Sequence, residues 1–312
     1  MIYDIILEKS RVCILRVRKT PMDTRPLGYA GKPACLPVRK GNNNYPLALA
    51  LVEYLKKGVG ASVVKFFASL LMFLIFLPFI TLSIYTSPQD LIQSITDPVV
   101  IDALKNSVIG ATYATLLSAV FAVPIGYAMA RNTFKSKKVW LALLNIPAMV
   151  PHSVGGIMIL LLFSPKYSPL GKFLAERNFF ITGTMLGIVL AMWIVSVPYY
   201  INAAFEAFAS VPPGLERTAM SLGAPPLMAF LTITFPLALR GLITGAIQTW
   251  ARAVSEFGAV VMVSYYPKTA PVLVYELFNN FGLSKAIPVS VITILISSTI
   301  FLLLRFIGDK NA

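Results

Sequence analysis

"ERTAMSLGAPPLMAFLTITFPLALRG", residues 216–241, interrupts two long apolar stretches with a charged turn, a glycine and three prolines. "VPPG" at 211–214 leads into it, and Pro213 suits a first helical turn. Residues 215–222 then make about two helical turns. Gly223 is placed for a left-handed stop, and Pro225 with Pro226 prevents the helix from continuing. The apolar segment "LMAFLTITF" follows, is ended by Pro236, and leads into the next oily stretch. The pattern predicts a short helix with stiff ends, able to pass force from a partner to its flanking segments.

Composition says what those segments are. The chain has 312 residues, 57% hydrophobic and only 13% charged, against about 25% charged in a soluble domain. That much apolar surface needs lipid as its solvent. Cys13 and Cys35 lie far apart in sequence and read as neither a metal pair nor a disulfide framework. The single histidine, His152, excludes a multi-histidine metal site, and no cofactor is expected. Lys9, Arg11, Arg16, Arg18 and Lys19 exclude a cleavable signal peptide at the start.

Six stretches have the ~20 apolar residues that a spanning helix needs: roughly 62–85, 105–130, 139–163, 182–204, 237–263 and 287–307. They are too long and continuously apolar for barrel strands, so an all-α membrane fold with six transmembrane helices is expected. Lys and Arg in the short loops set the direction. The segment before the first span is basic and ends in Lys56 and Lys57; the loop 87–103 holds Asp90, Asp97 and Asp102; "RNTFKSKK" at 131–138 is basic again. Both termini and residues 205–236 are therefore expected in the cytoplasm, although Lys166, Lys172 and Arg177 run against the rule. This layout accounts for the net charge of +14, and no nucleic-acid partner is expected. Residues 1–60 read as a disordered basic segment, as an overextended start with Met22 as the alternative initiator, or as an arm touching anionic lipid.

Within the spans, small residues recur every fourth position at Gly110, Ala114, Ser118, Ala122, Gly126 and Ala130. Such a row serves close packing, either inside the chain or between subunits. "NIPAMVPHSVGG" places Pro147 and Pro151 one turn apart before Gly155 and Gly156, which predicts an interrupted or bent third span. His152 has no partner legible in sequence and reads as a structural residue. In the fifth span Thr244, Gln248, Arg252 and Glu256 form a polar stripe at i,i+4 spacing. An intramembrane arginine faces protein or water, so the stripe, with Ser153, is the candidate translocation path; a structural Arg252–Glu256 ion pair is the alternative. Arg240 reads as a snorkelling residue at the edge of the membrane.

From Gly223 come nine residues and then Ile233, Thr234, Phe235 and Pro236. This resembles the EAA loop of binding-protein-dependent ABC importer permeases, which reads EAA, three residues, Gly, nine residues, Ile, one residue, Leu, Pro. Ala219, Gly223, Ile233 and Pro236 match; Arg217 stands at the Glu position, Thr218 at the first Ala and Phe235 at the Leu. Glu216, one place early, is expected on the same surface as Arg217. "PIGYAMAR" at 124–131 is also similar to the end of that family's corresponding helix. "ARAVSEFGAVVMV" at 251–263 and "IPAMVPHSVGGIMILLLFSP" at 146–165 most resemble its molybdate, tungstate and sulfate branch.

The resemblance implies a type I importer permease fold with a cytoplasmic coupling helix between spans four and five. It implies partners as well: two copies of an ATP-binding cassette subunit, a second copy of this chain as a homodimer, an external oxyanion-binding protein and the lipid membrane. Coupling would fall to Glu216, Arg217, Ala219, Gly223, Ile233 and Pro236, and tungstate or molybdate, or a related oxyanion such as sulfate, would be the cargo. The expected organisation is a basic segment at 1–60, a transmembrane domain at 61–308 with a core of about 105–305, and a short tail at 309–312. The tail predicts no C-terminal regulatory domain. No G-x-x-x-x-G-K-[ST] loop is present, so ATP hydrolysis is expected on a partner and not on this chain. The rivals are an ion-gradient secondary transporter, which calls for more intramembrane carboxylates than Glu256, a membrane enzyme or sensor, and, within the family, a phosphate or amino-acid permease.

Overall fold

The computed structural model describes residues 2–8, 11–17, 34–37, 59–132 and 136–310. Most of the basic segment, the alternative start at Met22 and the last two residues lie outside them. Two compact units, Met1–Leu77 and Pro78–Ala312, divide the chain.

The first unit opens with three strands, β1 (Ile2–Glu8), β2 (Arg11–Val17) and β3 (Ala34–Pro37), in an antiparallel sheet ordered β1-β2-β3. Sequence reading named no strand here, although "IYDIILE" and "RVCILRV" are rich in β-branched residues. The register sets Cys13 opposite Cys35. From Val59 onward every element is helical. The first, α1 (Val59–Ile84), is apolar on all sides beyond Lys65 near its start, as a helix bathed in lipid is.

The second unit follows as α2 (Pro88–Thr96), α3 (Pro98–Arg131), α4 (Lys137–Met149), α5 (His152–Phe163), α6 (Pro169–Ala175), α7 (Met185–Ser210), α8 (Pro213–Ser221), α9 (Pro226–Ala229), a π turn (Phe230–Thr234), α10 (Phe235–Val254), α11 (Gly258–Val263), α12 (Ala270–Phe281) and α13 (Leu283–Lys310). Asp90 and Asp97 do local work beyond their charge. Ser87 caps α2 at the amide of Asp90 and donates to the Asp90 carboxylate, while Asp97 caps α3 at the amide of Val99. Five helical runs are long and apolar enough to cross a bilayer alone; α4 and α5 pass that test only together, across a 98° bend. The break follows from Pro151, which lacks an N–H to continue the ladder.

Packing centres on α7, where Ile188, Met192, Ala204 and Phe208 are fully buried. The small-residue row of α3 is the contact: a Cβ on Gly126 would stand 2.7 Å from the Ala204 Cβ, and one on Gly110 3.0 Å from the Met192 sulfur. The row therefore serves packing within the chain. On the other flank α10 meets α7 through Gly241 and Gly245, whose added Cβ atoms would lie 2.5 and 2.6 Å from those of Ala207 and Ala203. Asn145 of α4 and Asn202 of α7 exchange amide hydrogen bonds at 3.1 and 2.6 Å, a polar tie that packing in lipid rewards.

Two expectations change. Pro236 does not end a segment: Pro226–Val254 is one 29-residue run. The π turn ahead of Pro236 widens the helix, and the amide of Phe235 reaches back to the carbonyl of Phe230, so a residue without an N–H is accommodated. The fifth span also does not continue to 263. Its helix stops at Val254 and a separate one, α11, begins at Gly258.

Candidate functional site

The short helix α8 ends as its sequence dictates. Gly223 has φ +95°, its amide donates to the carbonyl of Met220, and the amide of Ala224 donates to that of Ala219. This pair of bonds is a Schellman stop, and φ in that range favours glycine. Arg217, Thr218 and Leu222 are exposed, Leu222 to 85%.

Glu216 behaves differently from its neighbour. It is only 6% exposed. Its carboxylate accepts from Arg131 Nε at 2.9 Å, from Thr234 Oγ1 at 3.0 Å and from the Tyr127 hydroxyl. Arg131 Nη1 in turn donates to the carbonyls of Phe208 and Val211 at 3.1 Å each, a cation at the C-terminus of α7. Tyr127 is flanked by Phe230 and Phe208, with ring centroids at 4.7 and 5.5 Å. Burial alone would raise the Glu216 pKa. The hydrogen bonds from Tyr127, Arg131 and Thr234, with the charge of Arg131, overcome it and hold the carboxyl below its ordinary value. One side chain of α8 is thus tied to the end of α3, the end of α7 and the π turn that opens the next span.

The polar stripe of α10 splits in two. Thr244 and Gln248 are exposed and line a cavity of about 400 Å³ with Glu206, Ser210 and Arg240. Arg252 and Glu256 lie beyond it in a cluster whose carboxylate is buried and whose other members are half-buried. Arg252 Nη2 is 2.8 Å from Glu256 Oε2 and 2.7 and 2.8 Å from the two ring nitrogens of His152. His152 Nδ1 is 2.9 Å from the same carboxylate oxygen, and the amide of Ala259 donates to the other at 2.9 Å. The Glu256 side chain is 0% exposed. The cluster sits where two helices break, between α4 and α5 and between α10 and α11. Backbones meet closely there: a Cβ on Gly258 would stand 3.0 Å from the His152 Cβ, and one on Gly156 2.7 Å from the Ala259 carbonyl. Ser153, half-buried, adjoins the same contact.

The family model for the binding-protein-dependent transport system inner membrane component matches residues 122–310, which hold the α8 joint, the polar cavity and the His152 cluster. The chain belongs to this family. A molybdate/tungstate transport system permease protein of Thermococcus kodakarensis is 44% identical over 71% of this chain and 85% of its own. One of Pyrococcus furiosus is 41% identical over 83% of this chain and 96% of its own. Among solved structures, a bacterial ABC transporter involved in import of the acidic polysaccharide alginate matches with a TM-score of 0.60, covering 84% of this chain and 99% of that one at 15% identity. That likeness carries the fold alone, the type I importer permease fold. The protein is accordingly a multi-pass membrane permease.

Within this permease one expectation is corrected. Glu216 does not share a surface with Arg217. One residue turns an α-helix by about 100°, so the carboxylate points into the bundle while the guanidinium faces out. His152 has partners, Arg252 and Glu256, invisible in sequence because they lie about a hundred residues away. Arg240 stands fourteen residues from each end of the Pro226–Val254 run. Ala219 and Ile233 are half-buried, and Gly223 and Pro236 exposed. Sequence reasoning missed Arg131 and Tyr127 as anchors. Their only signal was "PIGYAMAR", where Tyr127 and Arg131 stand four apart on one helical face.

Proposed function

We propose that the permease carries tungstate or molybdate into the cytoplasm as a homodimer, bound to two ATP-hydrolysing subunits and served by an external oxyanion-binding protein. Both termini and α8 face the cytoplasm in this reading, and α8 is the coupling helix. The observation that carries it is the Glu216 joint. A helix nine residues long with an exposed apolar and basic outer face is fixed, through one buried carboxylate, to α3 and to the run that opens at the π turn, and through Arg131 to the end of α7. Displacement of α8 by a partner then moves α3, α7 and α10 together, where a floppy loop would absorb the motion. Arg217 and Leu222 present the docking face, Gly223 sets its end, and Ile233 and Pro236 connect it to the next span.

Thr244 and Gln248 line the route in this account, and Arg252, Glu256, His152 and Ser153 hold its wall. The choice of cargo is supported by the relatives' names and by the identity to them. The chain supplies the path and the lever, and the partner supplies ATP hydrolysis.

The test is an assembled complex in proteoliposomes with its binding protein, assayed for ATP turnover against tungstate, molybdate, sulfate and phosphate. Tungstate and molybdate should stimulate turnover and be taken up; uptake with no ATPase subunit present would overturn the coupling account. Deletion of 215–222, or Gly223→Pro, should abolish uptake and leave membrane insertion unchanged.

A further inference from the structure

The cavity between α7 and α10 holds residues that the coupling and wall account leaves unused. Glu206 and Ser210 from α7 meet Arg240, Thr244 and Gln248 from α10 around it. Two other cavities, each about 610 Å³, carry no charged side chain. The placement follows from the tight contact beneath. Gly241 and Gly245 press on Ala207 and Ala203, so positions 240, 244 and 248, one helical face over, stand at the rim. Positions 206 and 210 do the same on α7.

Arg240 and Glu206 are both exposed, and neither guanidinium nor carboxylate has an ion pair among the described residues. The charged side chains of Arg131, Glu216, Arg252 and Glu256, buried or half-buried, are by contrast paired. An unpaired arginine on a run apolar enough to cross a bilayer faces something polar and not lipid.

We propose that Arg240, with the hydroxyls of Ser210 and Thr244 and the amide of Gln248, forms a station that binds a tetrahedral oxyanion dianion on its way through the permease, and that Glu206 limits how tightly it is held. The proposal rests on the importer reading and assigns that cargo a stopping place. Guanidinium presents several N–H donors to an oxyanion and the Gln248 amide adds two more; the hydroxyls of Ser210 and Thr244, which donate to the carbonyls of Ala207 and Arg240 at 2.7 and 3.0 Å, turn to the anion by giving up those bonds. A fixed carboxylate across the same cavity repels the dianion and offers Arg240 a partner once the anion leaves, so the site does not trap its cargo.

Two charge-changing variants test this with opposite expected signs. Uptake of radiolabelled molybdate is measured in proteoliposomes holding the whole complex. Arg240→Gln should lower uptake at least tenfold, and Arg240→Lys should keep a third or more of it. Glu206→Gln should raise apparent affinity a few-fold while lowering the maximal rate. A second readout needs no turnover: in the complex lacking Cys13 and Cys35, Thr244→Cys should react with a negatively charged thiol reagent at least threefold more slowly in molybdate than in chloride. Wild-type uptake in Arg240→Gln, equal failure of Arg240→Lys and Arg240→Gln, or no protection at position 244 would each overturn the station. A wild-type complex that takes up no oxyanion would instead remove the importer reading beneath it.

Discussion

Glu216 and Glu256 are both buried carboxylates gripped by an arginine, at 2.9 and 2.8 Å, yet their partners differ in kind. Glu216 is held by Tyr127, Arg131 and Thr234, residues of other elements that converge on a helix outside the spans. Glu256 takes Arg252 from four residues before it and the Ala259 amide from three after, with His152 as its distant partner. In the proposed function the first is a joint between a lever and the bundle; the second is a clasp across two helix breaks. A joint transmits displacement, so complex that survives its loss should no longer transport. A clasp holds shape, so complex that survives its loss should still transport.

Glu216→Ala is the largest expected effect. It leaves the Arg131 charge buried without its carboxylate, a loss of roughly 3–5 kcal/mol. Detergent-solubilised complex should melt several degrees lower, and surviving complex should hydrolyse ATP without uptake. The contrast with Glu256 breaks if uptake and ATP use stay coupled. Acid should act on the same joint. The folded carboxyl titrates below its unfolded value of about 4.3, so its stabilisation is present above that pH and is lost as pH falls through the folded pKa. Thermal scans from neutral pH downward should show this loss in wild type and not in Glu216→Gln.

Arg252→Ala comes next. It strands a carboxylate that is 0% exposed, but His152 and the Ala259 amide remain, so the loss should fall at the lower end of the same roughly 3–5 kcal/mol range. The double variant Arg252→Ala, Glu256→Ala should recover part of it, because no unpaired charge is left. Yield and melting temperature are the readouts. Arg252→Ala that melts normally and fails to transport would make the clasp part of the route itself.

How much of this could be read beforehand varies with distance along the chain. The spans were legible because apolar length is a local property. The broken third span was legible from Pro147 and Pro151, and the stop of α8 from Gly223 and the two prolines after it. The passage through Pro236 was not, because the π turn that admits it has no signature in "FLTIT". The inward turn of Glu216 and the partners of His152 were not either, since both depend on residues brought from far away.

A smaller effect sharpens the joint itself. Gly223→Ala puts a side chain at φ +95°, a cost of about 1–2 kcal/mol, at a stop where a Cβ would meet nothing within 4 Å. The strain is therefore conformational and local. The helix α8 should fray at its outer end while Glu216, two turns earlier, stays seated. Uptake should fall several-fold with little change in melting temperature, which separates the docking end of the lever from its anchored end.

The smallest expected effect is on the open side of the polar stripe. Gln248 is exposed and lines the cavity shared with Thr244, so Gln248→Ala strands no buried group. Its effect on stability should stay within about 0.5 kcal/mol. If the stripe divides as its burial does, into an outer half that meets cargo and an inner half that holds shape, uptake should still drop a few-fold at an unchanged melting temperature. Arg252→Ala should show the reverse order of losses. Were both variants to lose stability and uptake in the same proportion, the stripe would be one structural unit and the division between joint, route and clasp would need redrawing.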